Sequence, residues 1–537
     1  HPWVDGAAVA FAAKTGFGCH HRIDHVGFAN CGTMKCNTIL VAQVFDHPAG
    51  CTIGHNRTAS LLQNMIDAQC HRVFFTEVLS TGIDNGQPVG VGILAKADHH
   101  ILFSNLLTDT GQIVGSWLGC MLELTICFFA QQDRLAAEGM KFTDFYAGST
   151  VCAPSRCVLM TGYHTGRCFI RGNGKDNLRP SDVTIAEVMG AGGYRCGMFG
   201  KWGLGHEGSS GLPTRQGFDA FYGYLDQHHA HNYYPSFLVR DEKRVLLANV
   251  VPGEGKFGQG VATEKKEYSH DLIMAEAMKF LDANHKKHFF LYLPLTIPHA
   301  NNEARQAGME VPDYGQYADL DWPQPQKGHA AMISRMDRDL GLLFQRLKDH
   351  GIDQKTIVFF TSDNGPHREG GNNSDFNDSN GPLKGVKRDL TDGGIRVPLI
   401  VRWPGRIKTG SSSDFVGAFW DVMPTLAELA GTGKHVPKDI DGISFLPSLL
   451  GQGTQQQHEF LYWAFYERGG SRALRSGDWK AVQQPIHTPV RLYNLKEDLG
   501  EQKDVAADNV ELVKKFTAAM DGAYAPSTRW KFPEKKK

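Results

Sequence analysis

Four short polar clusters in this 537-residue chain carry side chains that can act on an oxyanion. Val151-Cys152-Ala153-Pro154-Ser155-Arg156 holds a thiol and a guanidinium. Lys201 closes an apolar run, His299 follows Pro298, and Ser362-Asp363-Asn364-Gly365 closes another run. Asp363 and Asn364 offer hard oxygen ligands, which suit a divalent cation such as calcium or magnesium. Lys201 and Arg156 can neutralise a tetrahedral anion. Pro154 fits the first turn of a helix, so Cys152 is expected near a positive helix N-terminus. His299 can protonate a leaving oxygen.

Each cluster follows a segment that reads as a strand: Lys141–Tyr146, Tyr194–Phe199, His288–Leu295 and Thr356–Thr361. Helical patterns lie between and after them. Thr184–Met189 follows a capping Ser181-Asp182, and Asp271–Leu281 sets Ile273, Ala277 and Phe280 on one face. Met332, Met336, Leu340, Leu343 and Leu347 recur at helical spacing before Gly351, and Asp421 opens a helix that ends before Gly431. Ile395–Trp403 reads as extended, with Pro398 limiting part of it. Strands alternating with helices predict a largely parallel sheet covered on both faces. Ligands then bind beyond the carboxyl ends of the strands, where the four clusters converge. Past residue 455 the runs Phe460–Tyr466, Trp479–Val482 and Arg491–Leu495 and a helix near Val510–Met520 predict a small α+β domain over 451–537.

Composition narrows the function classes. Lys and Arg number 56 against 57 Asp and Glu, which argues against a broad basic surface and against nucleic acid as partner. No run of 18 apolar residues exists, so no membrane span is predicted; Leu118–Ala130 is short and contains Glu123. All 11 cysteines fall between Cys19 and Cys196, which is not the layout of a secreted disulfide framework. Residues 1–132 carry 15 charged side chains, 11%, against 24% in the remainder. The chain opens on His1 with no visible signal peptide, so its true start is expected to be missing or processed.

The clusters together carry a family resemblance. Cys152-Ala153-Pro154-Ser155-Arg156 resembles the C-x-P-S-R motif of the formylglycine-dependent sulfatases, of the arylsulfatase and N-acetylgalactosamine-sulfatase type. Phe199 to Gly205 resembles the family's G-K-W-H-L-G block, Pro298-His299 its P-H pair, and Thr361 to Gly365 its metal block. Leu383–Pro398 resembles the lysine-bearing segment, and Leu492-Tyr493-Asn494-Leu495 the C-terminal L-Y-D/N-L run. The likeness covers about residues 133–537.

The resemblance implies an alkaline-phosphatase-like fold, with a mixed, mostly parallel sheet flanked by helices. It implies that Cys152 is oxidised to formylglycine by a formylglycine-generating enzyme and that the hydrated aldehyde attacks sulfur. Arg156 would orient that hydrate, and Lys201 and Lys387 would bind sulfate oxygens. Lys387 or His299 would help the leaving group depart. Asp363, Asn364 and the modified Cys152 would hold calcium, with magnesium possible. The implied substrate is a sulfated small molecule or glycan, and the implied location is secreted, periplasmic or lysosomal.

Two departures shape the expectations. Gly203 stands where the family often has histidine, and His206, His228, His229 or His231 could replace it. The family's Asp-Asp pair is absent; Ile101–Leu107 followed by Asp109, 43 residues before Cys152, is the best match to its strand and first carboxylate. Residues 1–100 are therefore expected to be non-native, perhaps from a wrong exon or frame, with the catalytic domain spanning 101–450. Weak metal binding and slow turnover are expected to follow. Two alternatives stand beside the sulfatase reading: a phosphate or phosphonate ester hydrolase on the same fold, and an impaired sulfatase-like binding protein. Gly203-Leu204-Gly205-His206-Glu207-Gly208 fits G-x-G-x-x-G, but no clear helix follows and a bland loop is the better reading.

Overall fold

Five neighbouring parallel strands form the centre of a ten-stranded sheet and carry the site at their carboxyl ends. We describe the protein from a computed structural model, which covers residues 130–534 together with six strands between Ala8 and Leu106. The sheet runs Lys243–Leu246, Phe237–Arg240, Ala220–Tyr224, Arg195–Lys201, Phe289–Leu293, Ala8–Ala13, Thr356–Thr361, Leu399–Arg402, Met140–Phe142, Ser411–Ser413. Ala220–Tyr224 through Thr356–Thr361 are mutually parallel, and antiparallel strands extend both sides. This is the mixed, mostly parallel sheet expected.

Phe289–Leu293 and Thr356–Thr361, near the middle of the sheet, are almost wholly apolar because both faces are covered. FFLYL at 289–293 and TIVFFT at 356–361 are buried throughout. Phe290, Tyr292, Ile357 and Phe359 join one core cluster with Val158, Val188 and Leu426, from the helices Cys152–Thr161, Ile185–Gly190 and Val422–Ala430. Leu291, Leu293, Val358 and Phe360 join the other, with Ile273 and Phe280 of Ser269–Asn284 and Met332, Met336 and Leu340 of Gln324–Asp349. The period-two split of each strand between two cores is what a doubly covered sheet requires. Gly351 and Gly431 end their helices with φ of 66° and 67°, as expected of left-handed stops.

Contacts divide the chain into two compact units, His1–His21 with Phe129–Lys537, and Arg22–Phe128. In the second, Val73–Ser80, Val91–Ala97 and His100–Leu106 form an antiparallel sheet. This differs from the expectation for Ile101–Leu107. Only two residues separate Val91–Ala97 from His100–Leu106, so that segment pairs locally, while the all-apolar run Ala8–Ala13 takes the central slot, Val9 opposite Phe290 and Ile357. Residues 1–100 are thus not uniformly apart from the catalytic sheet. Asp109 lies outside the described residues.

Two smaller differences are local. Ile395–Trp403 divides into the single turn Asp392–Ile395 and the strand Leu399–Arg402. The cap of Ile185–Gly190 is Thr184, not Ser181-Asp182: its hydroxyl accepts from Glu187 N, and Glu187 Oε2 accepts from Thr184 N at 2.8 Å. The Thr184 hydroxyl also donates to the Gln216 carbonyl at 2.8 Å. Thr184→Ala is expected to cost about 1 kcal/mol or slightly more in urea unfolding.

At the C-terminal end, Leu461–Phe465, Ser471–Ser476, Trp479–Gln483 and Arg491–Asn494 form an antiparallel sheet. Helix Val510–Ala523 packs Phe516 and Met520 into its core. This is the expected small α+β region. Among the described residues no helix is long and apolar enough to cross a membrane.

Candidate active site

Cys152 is the first residue of helix Cys152–Thr161, all ten residues of which are buried. The Ala153 amide donates to Asn173 Oδ1 at 3.0 Å, so one amide of the first turn is satisfied locally. Arg156, one turn on, ties three segments together. Its Nη1 donates to the Lys201 carbonyl at 2.6 Å, and its Nη2 pairs with Asp363 Oδ2 at 2.9 Å. Both side chains of that pair are almost wholly buried, at 3% and 0% exposure, so neither charge has a solvent alternative.

The carboxyl ends of the central strands supply the other groups. Lys201 ends Arg195–Lys201 and is buried. Burial lowers its pKa, partly opposed by nearby Cys152 and Asp363. His299 follows Phe289–Leu293, and the Tyr233 hydroxyl donates to its carbonyl. Its Nδ1–H donates to the Ala300 carbonyl at 2.8 Å, which leaves Nε2 as an acceptor. Lys387 Nζ donates to that Nε2 at 2.8 Å. Burial, then the Lys387 and Lys201 charges, hold the imidazole well below its usual range, so His299 is neutral.

The lysine-bearing segment folds directly over the Asp363 loop. The Lys387 amide donates to the Pro366 carbonyl at 2.8 Å, and the Arg388 amide to Thr150 Oγ1 at 2.7 Å. Glycine is required where these backbones touch. A Cβ on Gly365 would collide with the Gly393 carbonyl, and one on Gly393 with the Gly385 carbonyl.

Arg156, Lys201, His299 and Asp363, with Thr296 and Leu295, line one cavity of about 10 Å³. That is room for one water-sized species. Of the expected site residues, Arg156, Lys201, His299 and Asp363 meet at this cavity; Cys152 lies one helical turn before Arg156, Asn364 follows Asp363, and Lys387 contacts His299. Asp363 Oδ1 and Asn364 Oδ1 are buried and have no hydrogen-bond partner among the described residues. Among the possible substitutes at Gly203, His231 stands nearest the chemistry: its ring stacks on His299, centroids 5.0 Å apart and 9° from parallel. His206 Nε2 is held by Asp226 Oδ2 at 3.0 Å, His228 pairs with the same carboxylate at 3.4 Å, and His229 packs on Phe237.

The residue missed by sequence reasoning is Glu369. Its Oε2 accepts from Lys387 Nζ at 2.7 Å, its Oε1 pairs with Arg388, and Oε2 lies 3.5 Å from His299 Nε2. Burial would raise its pKa, but Lys387 and Arg388 outweigh that and hold the carboxyl far below the usual range. Its only signal in the sequence is position, seven residues after Ser362 in a loop of polar residues.

A family model described as Sulfatase matches residues 125–432, and one described as N-sulphoglucosamine sulphohydrolase, C-terminal, matches 386–522. The chain belongs to the sulfatase family, whose class of reaction is sulfuric ester hydrolysis. Arylsulfatase A of Bos taurus is 30% identical over 457 residues, covering 74% of this chain and 84% of its own. N-acetylgalactosamine-6-sulfatase of Sus scrofa is 31% identical over 374 residues, covering 65% of this chain and 66% of its own. The solved structure of Ps i-CgsB in complex with k-i-k-neocarrahexaose matches with a TM-score of 0.63 at 24% identity, covering 75% of this chain and 89% of that one. The fold is alkaline-phosphatase-like.

Proposed function

We propose that this protein hydrolyses sulfate esters of an aryl compound or a glycan, with formylglycine made from Cys152 as nucleophile and a calcium or magnesium ion bound beside it. One observation carries the reading: Arg156, Lys201, His299 and Asp363 line a single ion-sized cavity, and Cys152 begins the helix that carries Arg156 one turn on. The names of the relatives, an arylsulfatase and an N-acetylgalactosamine sulfatase, support both substrate classes.

The unpartnered, buried Asp363 Oδ1 and Asn364 Oδ1 fit a hard cation, and residue 152 and Asp109 would be its further ligands. Bound there, the ion would offset charge developing on sulfate oxygens, and the hydrated aldehyde would supply the attacking oxygen. The chain's own groups do the rest. Lys201 and Lys387 bind sulfate oxygens, and Arg156 orients the nucleophile while Asp363 fixes its guanidinium. His299 Nε2 carries no proton, so the proton for the leaving oxygen starts on Lys387 Nζ, 2.8 Å away. A formylglycine-generating enzyme is the maturation partner this reading requires.

The reading is tested by turnover of matched 4-nitrophenyl sulfate and phosphate by the purified protein. Sulfate is expected to be the better substrate; the reverse preference would assign the site to phosphate esters. Replacing Lys201, His299 or Lys387 by alanine is expected to lower kcat at least about a hundredfold, the scale of one lost preorganised donor or acid. Tm should move by only a few degrees. A large fall in Tm with near-normal kcat would make these residues structural instead.

A further inference from the structure

We propose that Glu369 sets the charge selectivity of this site, favouring tetrahedral esters with one negative charge over those with two. The inference rests on the sulfate-ester reading above and concerns a carboxylate that reading does not use. Four cations surround or approach the cavity: Arg156, Lys201, Lys387 and Arg388. Arg156 is matched by Asp363 at 2.9 Å. Lys387 and Arg388 share one carboxylate, Glu369, with Lys387 at 2.7 Å. The side chain is 16% exposed, so solvent screens it little. Two imidazoles adjoin this carboxylate. His299 is the neutral acceptor already described, and His367 Nε2–H donates to the Pro298 carbonyl at 2.9 Å while its Nδ1 accepts from Glu369 N at 3.1 Å.

The Lys387 ammonium donates to Glu369 and to His299, the wall of the cavity. An ester oxygen bound by Lys387 would therefore lie one ammonium group from the Glu369 carboxylate. Each added negative charge on the ester meets that carboxylate at a separation where Coulomb energies change affinity by about tenfold or more. A sulfate ester carries one negative charge, and so does a phosphonate monoester. A phosphate monoester carries nearly two at neutral pH. Their sizes are similar, so a cavity can separate them better by charge than by shape. Without Glu369 the same cations would favour the dianion.

The test compares the full-length protein with Glu369→Gln, which keeps an acceptor for Lys387, and Glu369→Asp, which keeps the charge. Each is assayed on 4-nitrophenyl sulfate, 4-nitrophenyl phosphate and 4-nitrophenyl methylphosphonate. Glu369→Gln is expected to raise the phosphate-to-sulfate ratio of kcat/KM by about tenfold or more. The methylphosphonate-to-sulfate ratio should stay within about threefold of wild type, because both esters carry one charge. Glu369→Asp should keep both wild-type ratios. An unchanged phosphate ratio in the glutamine variant, or an equal rise for methylphosphonate, overturns the inference and leaves Glu369 as an anchor for Lys387. If the glutamine variant does not turn over, calorimetric binding of benzylsulfonate and benzylphosphonate, above the phosphonate's second ionisation, reads the same ratio. A shift of about tenfold toward the phosphonate supports the proposal and no shift overturns it. A wild-type protein inactive on the aryl sulfate would defeat the sulfate-ester reading instead, and the binding ratio would still judge Glu369.

Discussion

Cys152→Ala is expected to reduce sulfate-ester turnover to background while changing unfolding free energy by only about 1 kcal/mol. The stability estimate follows from deleting one small buried group at a helix N-terminus. The loss of turnover follows from the proposed covalent mechanism, in which no neighbouring group replaces the nucleophile. In the proposed roles Lys201, Arg156 and Asp363 bind or orient, and Lys387 donates to His299. Mass spectrometry of the tryptic peptide Phe142–Arg156 is expected to show the aldehyde in active preparations, with specific activity proportional to its fraction. Full activity from peptide carrying only the thiol would mean that the proposed nucleophile is wrong.

The largest expected stability effect lies away from the cavity. Lys480, Asp392 and Glu501 are each fully buried, with Lys480 Nζ 2.6 Å from Asp392 Oδ1 and 3.2 Å from Glu501 Oε1. Lys480→Met would leave two carboxylates to share the remaining donors, among them Arg396 Nη1 and the Tyr146 hydroxyl. A loss of about 3–5 kcal/mol is expected, read as a lower urea midpoint. A midpoint within 0.5 M of wild type, ~1 kcal/mol at typical slopes, would show that the triad is not what holds this junction. The wild-type protein should also show a pH signature here. Burial pushes the Glu501 carboxyl up to about 7, above its ordinary 4.5, although Lys480 opposes the rise. The folded state therefore binds this proton more tightly than the unfolded chain. Its stabilisation is fully present below about pH 4.5 and is lost as pH rises to about 7.

The sequence made the centre of this protein legible because apolar runs and polar stops coincide there. Phe289–Leu293 and residues 357–360 are apolar throughout, and His299 and Asp363 follow them at the predicted edge. Lys387 was legible only through the family motif, since its segment has no regular period. Glu369 was not legible: a carboxylate beside Lys387 is dictated by charge balance in three dimensions. The triad was hidden for a related reason, because its members come from a loop, a strand and a turn spread over 110 residues, Asp392 to Glu501. The placement of Ala8–Ala13 was missed because alanine, four of its six residues, is weak evidence for a strand.

The burial of the helix that begins at Cys152 fixes an order of events during synthesis. Once the chain has folded, late segments lie against its flanks: Arg388 N bonds Thr150, Trp463 Nε1 donates to the Ala147 carbonyl at 2.9 Å, and Ala464 N donates to Thr165 Oγ1 at 2.7 Å. Trp463 leaves the ribosome about 310 residues after Cys152, which at about 5–20 residues per second is roughly 15–60 s later. The maturation enzyme that the proposed mechanism requires would have that interval of open access to Cys152 and little more. On the proposed mechanism, protein that folds first would be sealed in its thiol form, and the active fraction of a preparation would record a race between a modifying enzyme and the arrival of the C-terminal strands.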